Sequence, residues 1–339
     1  MLARWVQWMS VVCLALLVWV SWALIEPVQS GAGHDQIDVS QGTTLFGLTA
    51  ELGHQGIIPM PGGVLLYEHM FARHRKIYAG YYRIRSGMSV MDLLTMVTEP
   101  SGSQVQRLTI VEGVALNQIV TSLRTLQSQG NLAQSDSLDP EFLRKSLLPE
   151  ESSLEGWLAP DTYAYVPGMP VLSLVRMMIE HQRKRLESIW QDRDPGLPYR
   201  TPEDLLIMAS IVEKETGQAD ERSHIAGVFV NRLNMHWRLQ TDPTVIYGMG
   251  ADYQGVLHHS DLLKPSPWNT YQIDGLPPTP ISMPGLAALL ASAHPQASKD
   301  MYFVARGDGT HVFSQTLAEQ NAAVARYMKH RHPEKTIER

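Results

Sequence analysis

The sequence predicts an α+β protein carried behind one N-terminal transmembrane helix. Three observations predict it. A charge-free apolar run extends from Trp5 to Ile25, a β-prone stretch reaches a glycine turn and a short helix three times in the first half, and a strongly punctuated helix covers 201–217. With 339 residues and 44% hydrophobic side chains, the chain has material for two domains and their cores.

The apolar run reads WVQWMSVVCLALLVWVSWALI, with only Gln7, Ser10 and Ser21 as polar interruptions. As a helix it spans roughly 30 Å, the thickness of a bilayer core. Trp5, Trp8, Trp19 and Trp22 sit towards its ends, where indole rings favour the headgroup region. Arg4 precedes the run, whereas Glu26, Asp35 and Asp38 follow it, which predicts a cytoplasmic N-terminus and an exported remainder. A cleavable signal peptide, cut after Ala23, is the competing expectation. The bulky, continuous apolar run favours a retained anchor.

Ser40-Gln41-Gly42 leads to Leu45 and Leu48, Arg85-Ser86-Gly87 to Val90 and Leu93, and Val111-Glu112-Gly113 to Leu116 and Ile119. In each, apolar residues recur three and six positions beyond the turn, as a short amphipathic helix requires. These units resemble LysM-like glycan-binding modules, chiefly over 38–100; the alternative is ordinary βα units of one domain. Gln127 to Asp139 is polar enough for an exposed connection, and Asp192 to Pro202, with three prolines and Gly196, is the expected domain boundary. The expected organisation is 1–30 cytoplasmic N-terminus and anchor, 38–100 LysM-like region, 101–198 intermediate α+β region, 199–330 catalytic domain and 331–339 basic tail.

The charge of −6 and pI near 6.1 exclude the basic face of a nucleic-acid binder. The cluster Lys329-His330-Arg331-His332 with Lys335 and Arg339 is expected to be a solvated tail. Cys13 is the single cysteine and falls in the apolar run, so no internal disulfide and no cysteine nucleophile or zinc site exists beyond it. Thirteen histidines show no HExxH or comparable spacing, and neither a metal nor a cofactor is expected.

The segment 201–217 opens with Thr201 as a cap, Pro202 at the first helical position and Asp204 completing a box-like start; Gly217 suits its end. At 100° per residue, Leu205, Met208, Ala209, Val212 and Thr216 share a face. Lys214 points to water, Glu215 lies at the edge of the apolar face, and Glu213 lies on the opposite flank. A carboxyl at such a margin is partly desolvated and holds its proton as a general acid. Spacing alone leaves Glu213 open, or a plain surface glutamate. Downstream, Val228–Leu233 is expected to be helical. The run from Arg238 to Gly248 and the loops with Asn269-Thr270-Tyr271 and Gly275-Leu276-Pro277-Pro278 offer amides, hydroxyls and tyrosine rings on proline-stiffened loops. Such groups suit a sugar cleft, or simply turns.

Taken together, Ser210-Ile-Val-Glu-Lys-Glu-Thr216, Asn231-Arg232-Leu233, Gln240-Thr-Asp-Pro-Thr-Val-Ile-Tyr-Gly248, Asn269-Thr-Tyr271, Gly275-Leu-Pro-Pro278 and Ala293-His-Pro295 resemble the endolytic murein transglycosylase (MltG/YceG-like) family. Glu155-Gly156-Trp157, Pro160-Asp161-Thr162-Tyr163 and Val111-Glu112-Gly113 match in the same order, so the likeness runs from about 38 to 330. Two positions depart from the pattern: Thr279 stands where glycine is common, and Gln320 where histidine often precedes Asn321.

The resemblance implies a single-pass anchor in the bacterial inner membrane, a LysM-like region and a periplasmic catalytic domain. It implies a lyase that cleaves the MurNAc–GlcNAc bond of nascent peptidoglycan and leaves 1,6-anhydro-MurNAc ends. Such cutting would terminate strand elongation, with peptidoglycan synthases (penicillin-binding proteins) as possible partners. The family's catalytic residue is the second Glu of the triplet, hence Glu215; Gln240, Asp242, Tyr247 and Asn269 are expected to position substrate. Two other readings stand beside it. A lysozyme-like hydrolase would need a second carboxylate, for which Asp161, Glu213 and Asp242 are available. A non-catalytic cell-wall receptor or division scaffold would use only the LysM-like region.

Overall fold

A computed structural model describes residues 2–29, 36–39, 42–72, 75–78, 80–85, 87–99, 106–134 and 136–327. The expected basic tail, with Lys329 to Arg339, lies outside the described residues, as do Ser40, Gln41 and Ser86 of the expected turns. The chain forms two compact units: Met1–Leu108 with Gly130–Ala133 and Ala164–Met169, and Thr109–Gln129 with Gln134–Tyr163 and Pro170–Arg339.

The first unit begins with α1 (Leu2–Ile25), a described helix whose Gln7–Ile25 stretch is long and apolar enough to cross a membrane, with a mean hydropathy of 2.2. Trp5, Trp8 and Trp22 are exposed along it, while its last turns enter a core. Ala23 and Leu24 are buried together with Val28, Ile37, Leu48, Val64 and Val90. β1 (Gln36–Val39) is followed by α2 (Leu45–His54), which Thr44 caps by accepting the Gly47 amide at 3.1 Å, and by α3 (Pro61–Tyr67). α3 packs on α1 so closely that a Cβ at Gly63 would stand 2.6 Å from that of Ala23. It runs on into one π-helical turn, Glu68–Ala72. β2 (Gly80–Arg83) pairs antiparallel with β1, Ile37 opposite Tyr82, and α4 (Val90–Thr98) follows, closed by a Ser89–Asp92 capping box.

β3 (Gln106–Thr109) leads into α5 (Leu116–Ser128), then α6 (Pro140–Leu147) and β4 (Thr162–Tyr165), which pairs with β3. Each of the three expected strand–turn–helix units is thus present: β1 to α2, β2 to α4, β3 to α5. Their turn glycines Gly42, Gly87 and Gly113 have φ of +87°, +80° and +75°, where a side chain would be strained.

The rest of the second unit is mostly helical: α7 (Val171–Asp192), α8 (Pro202–Glu215), α9 (Arg222–Asn234), α10 (Asp242–Met249), the single turn α11 (His259–Leu262) and α12 (Leu286–Ala293). A hairpin of β5 (Tyr302–Ala305) and β6 (His311–Ser314), with Phe303 opposite Phe313, and α13 (Leu317–Tyr327) complete it. The proline-rich connection 192–202 lies inside this unit between α7 and α8. Its Tyr199 is buried and donates to the Ser292 carbonyl at 3.1 Å.

α8 starts as its sequence predicts: Thr201 and Asp204 form a capping box and Pro202 opens the first turn. It differs in one respect. Every residue from Leu205 to Val212 is buried, because α7, α9, α10 and α12 pack around it; the expected single apolar face is a central helix instead. Ser210, the polar residue of that stretch, donates to the Ile207 carbonyl at 2.7 Å and accepts the Ile281 amide at 3.0 Å. The last helical residue is Glu215, with Gly217 just beyond the Thr216 cap, where it suits the helix end. Thr216 turns to an extended conformation, and its hydroxyl accepts the Gln218 amide at 2.9 Å.

Candidate active site

Glu215 is the last residue of α8 and, unlike Leu205 to Val212 before it, is only partly buried. It lines a cleft of about 190 Å³ with Phe229, Arg232, Leu239, Gln240, Thr241, Asp242, Tyr271 and Phe303. The Thr241 hydroxyl donates to Glu215 Oε1. Thr241 is itself fixed, since its amide donates to Thr270 Oγ1 at 3.0 Å and its carbonyl accepts Thr244 Oγ1 at 2.7 Å. The preceding Gln240 has a φ of +50°, an unfavourable conformation for a residue with a side chain, held by its amide's bond to the Thr270 carbonyl at 3.2 Å.

Arg232 of α9 braces the same loop from the other side. Its Nη1 donates to the Leu239 carbonyl at 2.6 Å and its Nε to the Met301 carbonyl at 2.8 Å, with the guanidinium over the Tyr302 ring. Asp242, at the start of α10, accepts the Tyr271 hydroxyl at 2.6 Å. Phe229 and Phe303 meet edge to face at 5.7 Å and form the apolar wall.

Burial pushes the Glu215 carboxyl up to about 7, and the Asp242 charge adds to it. The Thr241 hydrogen bond and the positive groups His311 and Arg232 oppose it, and burial wins. Half of such groups are protonated at neutral pH, and a carboxylate in this place needs little driving force to take its proton back. The arrangement can therefore donate a proton to a leaving oxygen and recover it within one reaction.

Gln240 and Asp242 of the expected residues share this cleft with Glu215. Tyr247 and Asn269 do not line it. The Tyr247 hydroxyl donates to Glu155 Oε2 at 3.1 Å. Asn269 is buried and donates to the Leu262 and Lys264 carbonyls at 3.1 and 2.7 Å, while its Oδ1 accepts the Tyr271 amide at 3.0 Å. Of the other carboxylates, Asp161 pairs with Arg185 at 2.9 Å, and Glu213 accepts the Gly285 amide at 2.9 Å near Arg222; neither lines the cleft. Thr241, Arg232 and Tyr271 lie inside the family-like motifs, whereas Phe229 and Phe303 lie outside them and reach the cleft through tertiary packing.

The two departures from the family pattern are both structural. Thr279 Oγ1 accepts Trp268 Nε1 at 2.9 Å, and Gln320 Nε2 donates to the Phe303 carbonyl at 3.0 Å. Among the described residues, no group of three or more His, Cys, Asp or Glu side chains could hold a metal ion.

Comparison with known proteins gives a consistent picture. The endolytic murein transglycosylase of Bacillus subtilis strain 168 is 28% identical over 322 residues, covering 90% of this chain and 88% of its own. That of Streptococcus pneumoniae strain D39 is 29% identical over 301 residues, and there the chain spans only about half, 54%, of the relative's length. The crystal structure of a YceG-like protein from Listeria monocytogenes superposes with a TM-score of 0.51 at 27% identity, covering 85% of this chain and 98% of that one. The model of the YceG-like family matches residues 37–326, which leaves out α1 and takes in every residue of the cleft. The chain belongs to the YceG-like family.

Proposed function

We propose that this chain is an endolytic peptidoglycan lytic transglycosylase in which Glu215 serves as both acid and base. The observation that carries the role of Glu215 is one carboxyl, held near pKa 7 by burial, at the end of α8 in a cleft with polar loops on one side and two phenylalanines on the other. Protonated Glu215 gives its proton to the oxygen between N-acetylmuramic acid and N-acetylglucosamine as that bond breaks and an oxocarbenium-like centre develops at C1. The carboxylate then takes the proton of the muramic-acid C6 hydroxyl, whose oxygen closes on C1. The product is a 1,6-anhydro end, no water is consumed, and Glu215 regains its starting state. A nucleophile within the same sugar has the entropic advantage of a reaction already assembled. Gln240 and Asp242, on the loop that Thr241 ties to Glu215, position the sugar.

A second reading is favoured by one observation: Asp242 supplies another carboxylate in the same cleft, as a hydrolase acting through water or a covalent intermediate requires. Mass spectrometry of digested peptidoglycan separates them. Anhydro-muramic ends support the lytic reaction, reducing ends the hydrolytic one. Glu215→Gln protein that still cut strands at the wild-type rate would remove both.

The anchor is retained in this reading. Cleavage after Ala23 would remove a fully buried core residue and the Trp19 ring that lies 3.4 Å from where a Cβ on Gly62 would stand. The second unit then faces the periplasm, beside emerging strands and the synthases that extend them, and cutting there ends elongation. The β1–α2–α3–β2 order, two helices between antiparallel strands, supports a glycan-holding, LysM-like role for 38–100.

A further inference from the structure

The first unit contains a cavity of about 700 Å³ between the turn that follows β1 and the segment that follows α3. Six of its lining residues are chemically distinctive: Thr43, Phe46, Glu68, His69, Arg75 and Lys76. Glu68 is the odd member. It is only 3% exposed, opens the π-helical turn that follows α3, and uses one carboxyl oxygen to accept the Thr49 hydroxyl. The other oxygen, Oε2, is buried and has no partner. A half-satisfied buried carboxyl costs free energy that a structural role would not require. Burial raises its pKa above the ordinary range, against the lowering effect of the Thr49 hydrogen bond, and a cation beside it would favour the ionised form.

The mouth of the cavity has the opposite character. His69, Arg75 and Lys76 are exposed, and none forms an ion pair with a described carboxylate. Phe46 stands 58% exposed beside them. A cationic rim over one buried acid, among the described lining residues, fits a ligand that carries an amine and a carboxylate close together. A neutral sugar chain would leave the rim without partners, and a simple anion would leave Glu68 without one.

We propose that this cavity binds the peptide stem of peptidoglycan, taking the free amine of its diamino-acid residue on Glu68 and the neighbouring carboxylates on Arg75 and Lys76. The inference rests on peptidoglycan being the substrate, and it adds a stem requirement separate from the cleft at Glu215. The ammonium pairs with the Glu68 carboxyl where it lines the cavity, Phe46 covers the aliphatic part of the stem, and no covalent step is involved.

The test uses the full-length protein in detergent micelles carrying Glu215→Gln, so that strands remain uncut, with binding followed by calorimetry. Three probes are compared: a disaccharide-tetrapeptide with a free stem amine, the same compound N-acetylated on that amine, and a peptide-free glycan oligomer. Loss of a charged hydrogen bond predicts roughly ten- to hundredfold weaker binding on acetylation. Glu68→Gln removes that discrimination and leaves the peptide-free oligomer's affinity unchanged. Arg75→Ala and Lys76→Ala, both at exposed positions, weaken binding of the two peptide-bearing probes and leave the peptide-free oligomer unaffected, and they keep the test open if Glu68→Gln fails to fold. Equal binding of the acetylated and free-amine probes overturns the proposal. So does Glu68→Gln protein that still discriminates, or a cavity shown to hold a phosphoethanolamine lipid instead. Anhydro-end formation is scored separately on protein with Glu215 intact, so failure of the lytic reaction and failure of stem recognition give different results.

Discussion

Glu215→Gln is a test of stability as much as of activity. The carboxyl has a folded pKa of about 7 against an ordinary 4.5. Between those two values the folded chain binds more protons than the unfolded one, so stability falls as pH rises through the window. At about 1.4 kcal/mol for each pH unit, the carboxyl costs the fold about 1 kcal/mol at pH 5 and about 3 kcal/mol at pH 8. Glutamine has the same shape, keeps an oxygen to accept the Thr241 hydroxyl, and has no charge to desolvate. The variant should therefore melt above wild type, and the gap should widen from pH 5 to pH 8. For a unit of this size the widening is roughly 5–10 °C in Tm. The assay is thermal unfolding of full-length protein in detergent at the two pH values. Strand cutting on isolated peptidoglycan should fall between a hundred- and ten-thousandfold in the same variant, the usual contribution of a positioned acid–base group. A gap that is constant with pH, or a variant less stable at pH 8 than wild type, would refute the burial argument, because the carboxyl would then be ionised at no cost in the fold.

Four further outcomes follow from the same geometry. Thr241→Val removes the hydroxyl that lowers the Glu215 pKa, so the alkaline limb of the cutting rate should move to higher pH, read from a pH–rate profile. Arg232→Lys lacks the rigid fork whose Nε and Nη1 reach the Met301 and Leu239 carbonyls separately, and should lose about 2 kcal/mol of stability in denaturant titration together with most activity. Tyr271→Phe frees Asp242, and a several-fold fall in kcat with folding intact would show that the carboxylate's orientation matters to the reaction. Glu155 is likewise pushed up to about 7, chiefly by burial, while accepting the Leu116 amide at 3.0 Å and the Tyr247 hydroxyl. Glu155→Gln should be more stable above pH 7 than below it relative to wild type, by thermal unfolding.

Local chemistry carried much of the fold into the sequence. Thr201, Pro202 and Asp204 fixed the start of α8, and three glycines at positive φ marked the entries to α2, α4 and α5, because caps and turns depend on a few adjacent residues. Long-range facts were hidden. Nothing near Leu206 or Ile207 reveals that four helices surround α8, since an apolar run is equally compatible with one packed face or with all. Phe303 reaches the cleft from a hairpin some 90 residues beyond Glu215, and no periodicity connects the two. Tyr247 and Asn269 illustrate a different ambiguity. A polar side chain on a stiff loop can face a ligand or brace the loop, and only tertiary contacts distinguish the two: here Asn269 holds backbone carbonyls while Tyr271, two residues on, points to Asp242.

The burial of Ala23 and Leu24 also has a practical side. A tether made of slack chain can be trimmed or lengthened without touching what it carries. Here the last turns of the hydrophobic helix are part of the load itself, so a version shortened to begin after residue 25 would expose Val64 and its neighbours to water. Any study of a water-soluble fragment is then a study of a domain with an opened side, and residues inserted at the junction would act on folding before they altered reach.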